Sequence, residues 1–207
     1  MLRTVIILCF FVTSVGVAAQ DESDPIIRLL DSVFYRDQAG RLKMDSIQKK
    51  FGMESREMRS LFEEMRYNDS LNCVIVTNII DNIGWPGPGI VGKRGASTIF
   101  LVIQHSDSLT QVTYAPKLRE AVNNGKADPW TIALLEDRIL TQQGKEQVYG
   151  SQLRWNETID KWEFFPISDA ANVNKRRAKV GLQPIEEYAK NFGIEYVPPK
   201  QDTKQDN

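Results

Sequence analysis

The run Ile99-Phe100-Leu101-Val102-Ile103 is apolar without a break. Five consecutive apolar side chains are satisfied only by an element covered on nearly all sides, so this run belongs at the centre of a core and its neighbours must supply the cover. Periodicity alone does not separate a buried helix from a buried strand over so short a stretch; Ala96, Ser97 and the helical pattern of the flanking segments point to helix. With 207 residues, 42% hydrophobic and 26% charged, the chain is neither disordered nor collagen-like and is long enough for one compact domain with a real core. Its 26 basic and 27 acidic residues leave a net charge of −1, so no nucleic-acid partner is expected from overall electrostatics.

The cover reads as helical for most of the chain. Pro25 opens a stretch in which Ile26, Ile27, Leu30, Val33 and Phe34 recur at helical spacing, with Gly40 ending or interrupting it. Ser55 caps a helix carrying Met58, Leu61, Phe62 and Met65, and Asp69 is expected to cap the next, with Leu71, Val74, Ile75, Asn78 and Ile79 facing in. The segment Gly84-Trp85-Pro86-Gly87-Pro88-Gly89 breaks the pattern. Further helices are expected from Ser108 to Asn123 and, after the Asp128-Pro129 start signal, from Trp130 to Leu140. The period then changes: Gln147 to Trp155 and Lys161 to Ile167 read as the strands of a β-hairpin, and two short helices follow around Val173 to Val180 and Pro184 to Phe192. The expected fold is a single α+β domain, mostly helical, with a β-hairpin in its C-terminal half.

Residues 1–19 have the layout of a secretory signal peptide: Arg3, the apolar run Val5 to Val12, then Val17 and Ala19 as small residues before a cut at Gln20. The expected globular domain is 20–197, followed by a disordered tail at 198–207, in a secreted or periplasmic protein without a stable membrane span once mature. Cleavage removes Cys9 and leaves Cys73 alone, so an intramolecular disulfide is excluded and packing must hold the fold. One histidine and one cysteine cannot make a zinc-type ligand set and no cofactor motif is present, so neither metal nor cofactor is expected; an oxygen-rich calcium or magnesium site is the one alternative left open, although no EF-hand spacing is present.

His105, the one histidine, stands at the end of the apolar run and is the only side chain whose ordinary pKa lies near neutrality. It is the candidate acid or base, against the plainer alternative of a core-edge histidine satisfied by hydrogen bonds. If the helix continues, Gln104, Asp107 and Gln111 share a face while Asp107 is poorly placed to partner His105. Glu136, Asp137 and Arg138 interrupt the apolar stripe of the Trp130 helix, and Asp137 is the candidate partner that orients His105. Gln147, Tyr149, Gly150, Ser151 and Gln152 form an unusually polar start for a strand, where glycine often marks a bulge or a close approach. Arg138, Gln147, Tyr149 and Gln152, with Gln104, Asp107 and Gln111, are the candidate ligand contacts.

Taken together, Asp37-Gln38-x-x-Arg41, Asp69-x-x-Asn72, Gly84-Trp85-Pro86, Val91-Gly92, Gln104-His105-Ser106-Asp107 with Gln111, Asp137-Arg138, Gly144-x-x-Gln147-x-Tyr149-Gly150-Ser151-Gln152 and Arg176-Arg177 before Gly181-Leu182 resemble a bacterial domain family of unknown function. The resemblance covers roughly Ile26 to Tyr188. Ser106 and Ser151 stand where many relatives have Ala and Thr. The resemblance brings no activity with it, but a signature of Gln, His, Asp, Arg and Tyr implies a polar pocket more than a packed core.

Two functions of different class follow. In the first, an exported protein binds a polar small molecule or glycan in a pocket around His105, with hydrolysis of an envelope or other polar substrate as its candidate chemistry: His105 acid or base, Asp137 its orienter. A carboxylate helix leading into a hairpin, as in lysozyme-like enzymes, is an architectural analogy for the glycan case. In the alternative, a non-catalytic envelope interaction or structural protein uses the same residues as a buried hydrogen-bond network.

Overall fold

The computed structural model describes residues 24–197 and Pro199. Residues 1–19, where a signal peptide is expected, and most of the expected tail at 198–207 lie outside the described residues. The architecture is mostly helical with one antiparallel hairpin in the C-terminal half. The described chain divides into two compact units, 24–127 and 128–197.

The first unit is all helix: α1 (Pro25–Arg41), α2 (Met44–Phe51), α3 (Arg56–Ile83), α4 (Pro88–His105) and α5 (Ser108–Asn123). Asp24 caps α1 by accepting the Ile26 N–H at 2.9 Å, with Pro25 in the first turn, where its missing N–H costs nothing. Ser55 caps α3 in the same way through the Met58 N–H. The run Ile99–Ile103 is helical and buried throughout, as five apolar residues in a row require. Gly92 interrupts α4 with φ 70°, a conformation that costs glycine little, and re-aims the helix after its first turn.

Three features differ from the sequence expectation. The short α2 carries no side-chain cap and buries only Met44, so its signal is weak; it forms where the chain turns from α1 to α3. Asp69 caps nothing: α3 runs unbroken for 28 residues. Because the helix continues, its phase carries on from Met58, Leu61 and Met65 to Asn72, Val76 and Ile80, which are buried, while Leu71 and Val74 are 40% and 67% exposed. A fresh start at Asp69 would have set the other phase.

Two glycines bring α1 close to its neighbours. A Cβ on Gly95 would sit 2.9 Å from Val91 Cβ and 3.1 Å from Leu30 Cδ1, and one on Gly40 would collide with Met65 Cγ. Small residues at these crossings let α4 and α3 approach α1, and the polar residues discussed below lie on the same faces.

The second unit comprises α6 (Pro129–Gln142), β1 (Leu153–Asn156), β2 (Lys161–Phe164), a 3-10 turn at Ala170–Asn172, α7 (Val173–Lys179) and α8 (Ile185–Lys190). The strands pair antiparallel with Trp155 opposite Trp162 and Leu153 opposite Phe164. The two tryptophans meet edge to face at 5.4 Å, and Phe192 joins Trp162 on that side. Both strands are shorter than the sequence suggests: 147–152 is a loop, attached to the hairpin at Gln147 by one isolated bridge to Ile167. No helix among the described residues is long and apolar enough to cross a membrane.

Gly95→Ala is expected to lower the unfolding free energy by about 1–2 kcal/mol, since overpacking against Val91 and Leu30 outweighs the roughly 1 kcal/mol that alanine gains in a helix. Urea denaturation measures it, and an unchanged or raised midpoint would show that α1 and α4 are not held at this distance.

Candidate functional site

α1 presents its buried stripe as Leu30, Val33, Asp37, Gly40 and Arg41, so a carboxylate and a guanidinium take positions that apolar residues occupy one and two turns earlier. Asp37 is 1% exposed. Its Oδ1 lies 2.9 Å from Nδ1 of His105, which arrives at the last residue of α4; its Oδ2 accepts from Gln38 Nε2 at 2.6 Å. Arg41, one turn on, donates from Nη1 to the Asp37 carbonyl and lies 3.4 Å from Asp37 Oδ1. Its Nη2 spans both oxygens of Asp69 on α3, at 3.0 and 2.9 Å. One turn further along α3, the fully buried Asn72 accepts from Arg36 and reaches the Val33 carbonyl. Residues far apart in sequence thus meet as one polar cluster inside a helical unit.

Burial works to raise the Asp37 pKa, but the charge and hydrogen bond of His105, with Arg41 and Gln38, outweigh it and hold the carboxyl below its ordinary range. An ionised Asp37 fixes Nδ1 of His105 as the donor, so Nε2 is the basic nitrogen in the neutral ring. Asp37, Asp69 and His105 are also the described residues able to offer a metal three donor atoms within 4.8 Å of one another. Arg41 already supplies positive charge to both carboxylates, and a cation would have to displace it.

The other expected residues of this unit have local roles. The chain leaves the helix at Ser106, so Gln104, Asp107 and Gln111 do not line one continuous face. Asp107 is the N-cap of α5, accepting the Thr110 N–H at 2.7 Å, and this bond holds its pKa down. Gln111 is fully buried and donates both amide hydrogens to the carbonyls of Gln104 and Ser106, closing the end of α4 beside His105. Its Oε1 is buried and accepts from no donor among the described residues. Gln104 is 2% exposed on α4.

In the second unit, Asp137 on α6 has a different role from the one expected of it. The carboxylate on His105 Nδ1 is Asp37, whereas Asp137 accepts from the backbone N–H groups of Val148, Tyr149 and Ser151 and from the Ser151 hydroxyl, at 2.6–3.1 Å. Those amides would otherwise seek a strand partner, which is why 147–152 loops out. Burial pushes the Asp137 carboxyl up from its usual range, against these donors. Gln147 ties the loop ends by bonding the Gln152 N–H, the Gln152 carbonyl and the Phe165 carbonyl. Gln152 donates to Ser151 Oγ and to the Leu134 carbonyl. Arg177, 1% exposed, donates to the carbonyls of Tyr149, Gly150 and Gln183, and Arg176 to those of Val148, Ser168 and Asp169. Tyr149 is half-buried, and burial together with Glu136 and Asp137 raises its pKa. Arg138, next to Asp137, is 8% exposed.

A family model described as a family of unknown function (DUF6624) matches residues 36–197. The chain belongs to this family. The match contains every residue of the Asp37 cluster and all of the Asp137 loop. No curated protein and no solved structure matches the chain. Asp37, Arg41, Asp69 and Asn72 were absent from the candidate contacts. Two signals for them were available: all four stand in the motifs that resemble the family, and Asp37 and Arg41 are a charged pair four apart on the inner stripe of an amphipathic helix, where each charge needs a buried partner.

Two outcomes are expected. Asp37 is more acidic folded than unfolded, where its pKa is about 3.9, so its contribution to stability is present above that value and is lost as pH falls through the folded one. The stability gap between wild type and Asp37→Asn in urea melts should therefore narrow below about pH 4; a gap that widens there would contradict the pairing. Asp137→Asn turns an amide NH₂ towards groups that are themselves donors, and is expected to cost about 2–4 kcal/mol by the same measurement at neutral pH.

Proposed function

We propose that this protein is exported and binds a polar ligand at the Asp37–His105 couple, with His105 giving and taking a proton and Asp37 orienting it. The observation that carries this reading is the 2.9 Å contact between Asp37 Oδ1 and His105 Nδ1, both side chains largely buried. A carboxylate on Nδ1 selects the tautomer with a basic Nε2 and stabilises the imidazolium that forms when Nε2 accepts a proton, as a general base requires. The substrate class that suits such a group is a polar molecule activated by proton removal, with hydrolysis of a glycan or small polar envelope compound as the reaction. Export rests on the pattern of residues 1–19, so the working compartment is the periplasm or the exterior.

A second reading, a non-catalytic envelope protein, draws on the Asp137 loop, where a comparable polar set is spent on backbone groups. The two readings separate in a thermal-shift screen of the mature chain and His105→Gln against sugars, cell-wall fragments, nucleotides and metal ions. A ligand bound only by the folded state raises the melting temperature. The expected result is a compound class that stabilises wild type by several degrees and leaves folded His105→Gln unmoved. If no compound shifts wild type while His105→Gln melts far lower, the couple is structural and the second reading stands.

A further inference from the structure

We propose that Arg41 and Asp69 are positioning residues for His105: they hold Asp37 against the imidazole and, through the alternation of charge along His105, Asp37, Arg41 and Asp69, set how tightly the ring keeps its proton. The inference draws its functional meaning from the proton-handling role of His105 proposed above, and its content from separate observations. Arg41 contacts Asp37 twice, at the backbone carbonyl and at Oδ1, which is the oxygen that faces His105. Its other terminal nitrogen is taken up by both oxygens of Asp69. The four side chains are only 1–15% exposed, so solvent screens them little and a charge a few ångströms beyond the contact pair is still felt at the ring.

One guanidinium thus serves two carboxylates, and the histidine senses the balance. Gln38, also on Asp37, is neutral. Among the described residues, Arg36 of α1 also bears a charge at the cluster, through its bond to Asn72 Oδ1, and Asp107, two residues beyond His105 in the chain, caps α5. Neutralising Arg41 leaves His105 facing two uncompensated carboxylates, which favours the imidazolium. Neutralising Asp69 leaves Arg41 uncompensated beside Asp37, which disfavours it. The two substitutions act in opposite directions, whereas a role confined to packing gives no such pair of signs.

Because His105 is the one histidine in the sequence, its ring gives a single imidazole signal, and NMR titration of the folded chain reads its midpoint without assignment. Arg41→Gln should raise the midpoint by about one pH unit and Asp69→Asn should lower it by about half a unit. Arg41→Lys and Asp69→Glu, which keep the charges, should stay near wild type. Each neutral variant has its own predicted sign, so either one decides; if one does not fold, Arg41→Met or Asp69→Ser takes its place. Shifts of the same sign, or midpoints that stay at the wild-type value, would overturn the inference. Same-sign shifts alongside a ligand that needs His105 would leave the proposed function intact. Opposite shifts with no ligand found would uphold the tuning and count against that function.

Discussion

A carboxylate on the apolar face of a helix is the constraint around which the first unit is built. Removing an ionised Asp37 from water costs several kcal/mol unless partners replace the lost hydration. The fold supplies four groups: the His105 ring nitrogen, the Gln38 amide and the Arg41 guanidinium, with Asp69 answering the charge that Arg41 brings. Each partner constrains an element. His105 ties the end of α4 to α1, Arg41 and Asp69 tie α3 to α1, and Gly40 and Gly95 allow the close approach of these helices. Removing one partner would leave the others buried and underpaid in hydrogen bonds, so the cluster acts as a unit.

The second unit solves a different problem with similar residues. There Asp137 gathers backbone amides, and Gln147, Arg176 and Arg177 gather backbone carbonyls, so a loop without strand partners keeps its polar groups satisfied. Gly150, with φ 66°, lies where a side chain would strike Ile185 and Ile167, so the loop is packed as well as bonded. The contrast bears on function. A buried side chain that satisfies the backbone is fully explained by the fold. A histidine held by a carboxylate at one ring nitrogen has its tautomer selected as well, and the proposed proton transfer relies on that selection.

The helices were legible in the sequence because their signals are local. Proline and aspartate at the starts of α1 and α6, serine before α3 and the apolar periodicity between them depend on residues within a turn or two. The extent of α3 was not legible, since Asp69 reads as a cap until its true partner, 28 residues earlier on another helix, is known. The first strand starts later than expected for the same kind of reason: the polar stretch 147–152 leads directly into it, but a carboxylate from α6 takes the amides of Val148, Tyr149 and Ser151.

The sequence by itself determined the helical class, the central place of Ile99–Ile103, the hairpin and the choice of His105 as the residue to watch, because each follows from residue type and short-range spacing. Only the tertiary structure decided which carboxylate meets His105. Hydrogen bonds between side chains 28 and 68 positions apart leave no periodic trace in a single sequence. Which of two acidic residues reaches a ring nitrogen is set by how helices cross, and that crossing is fixed by packing along their whole length.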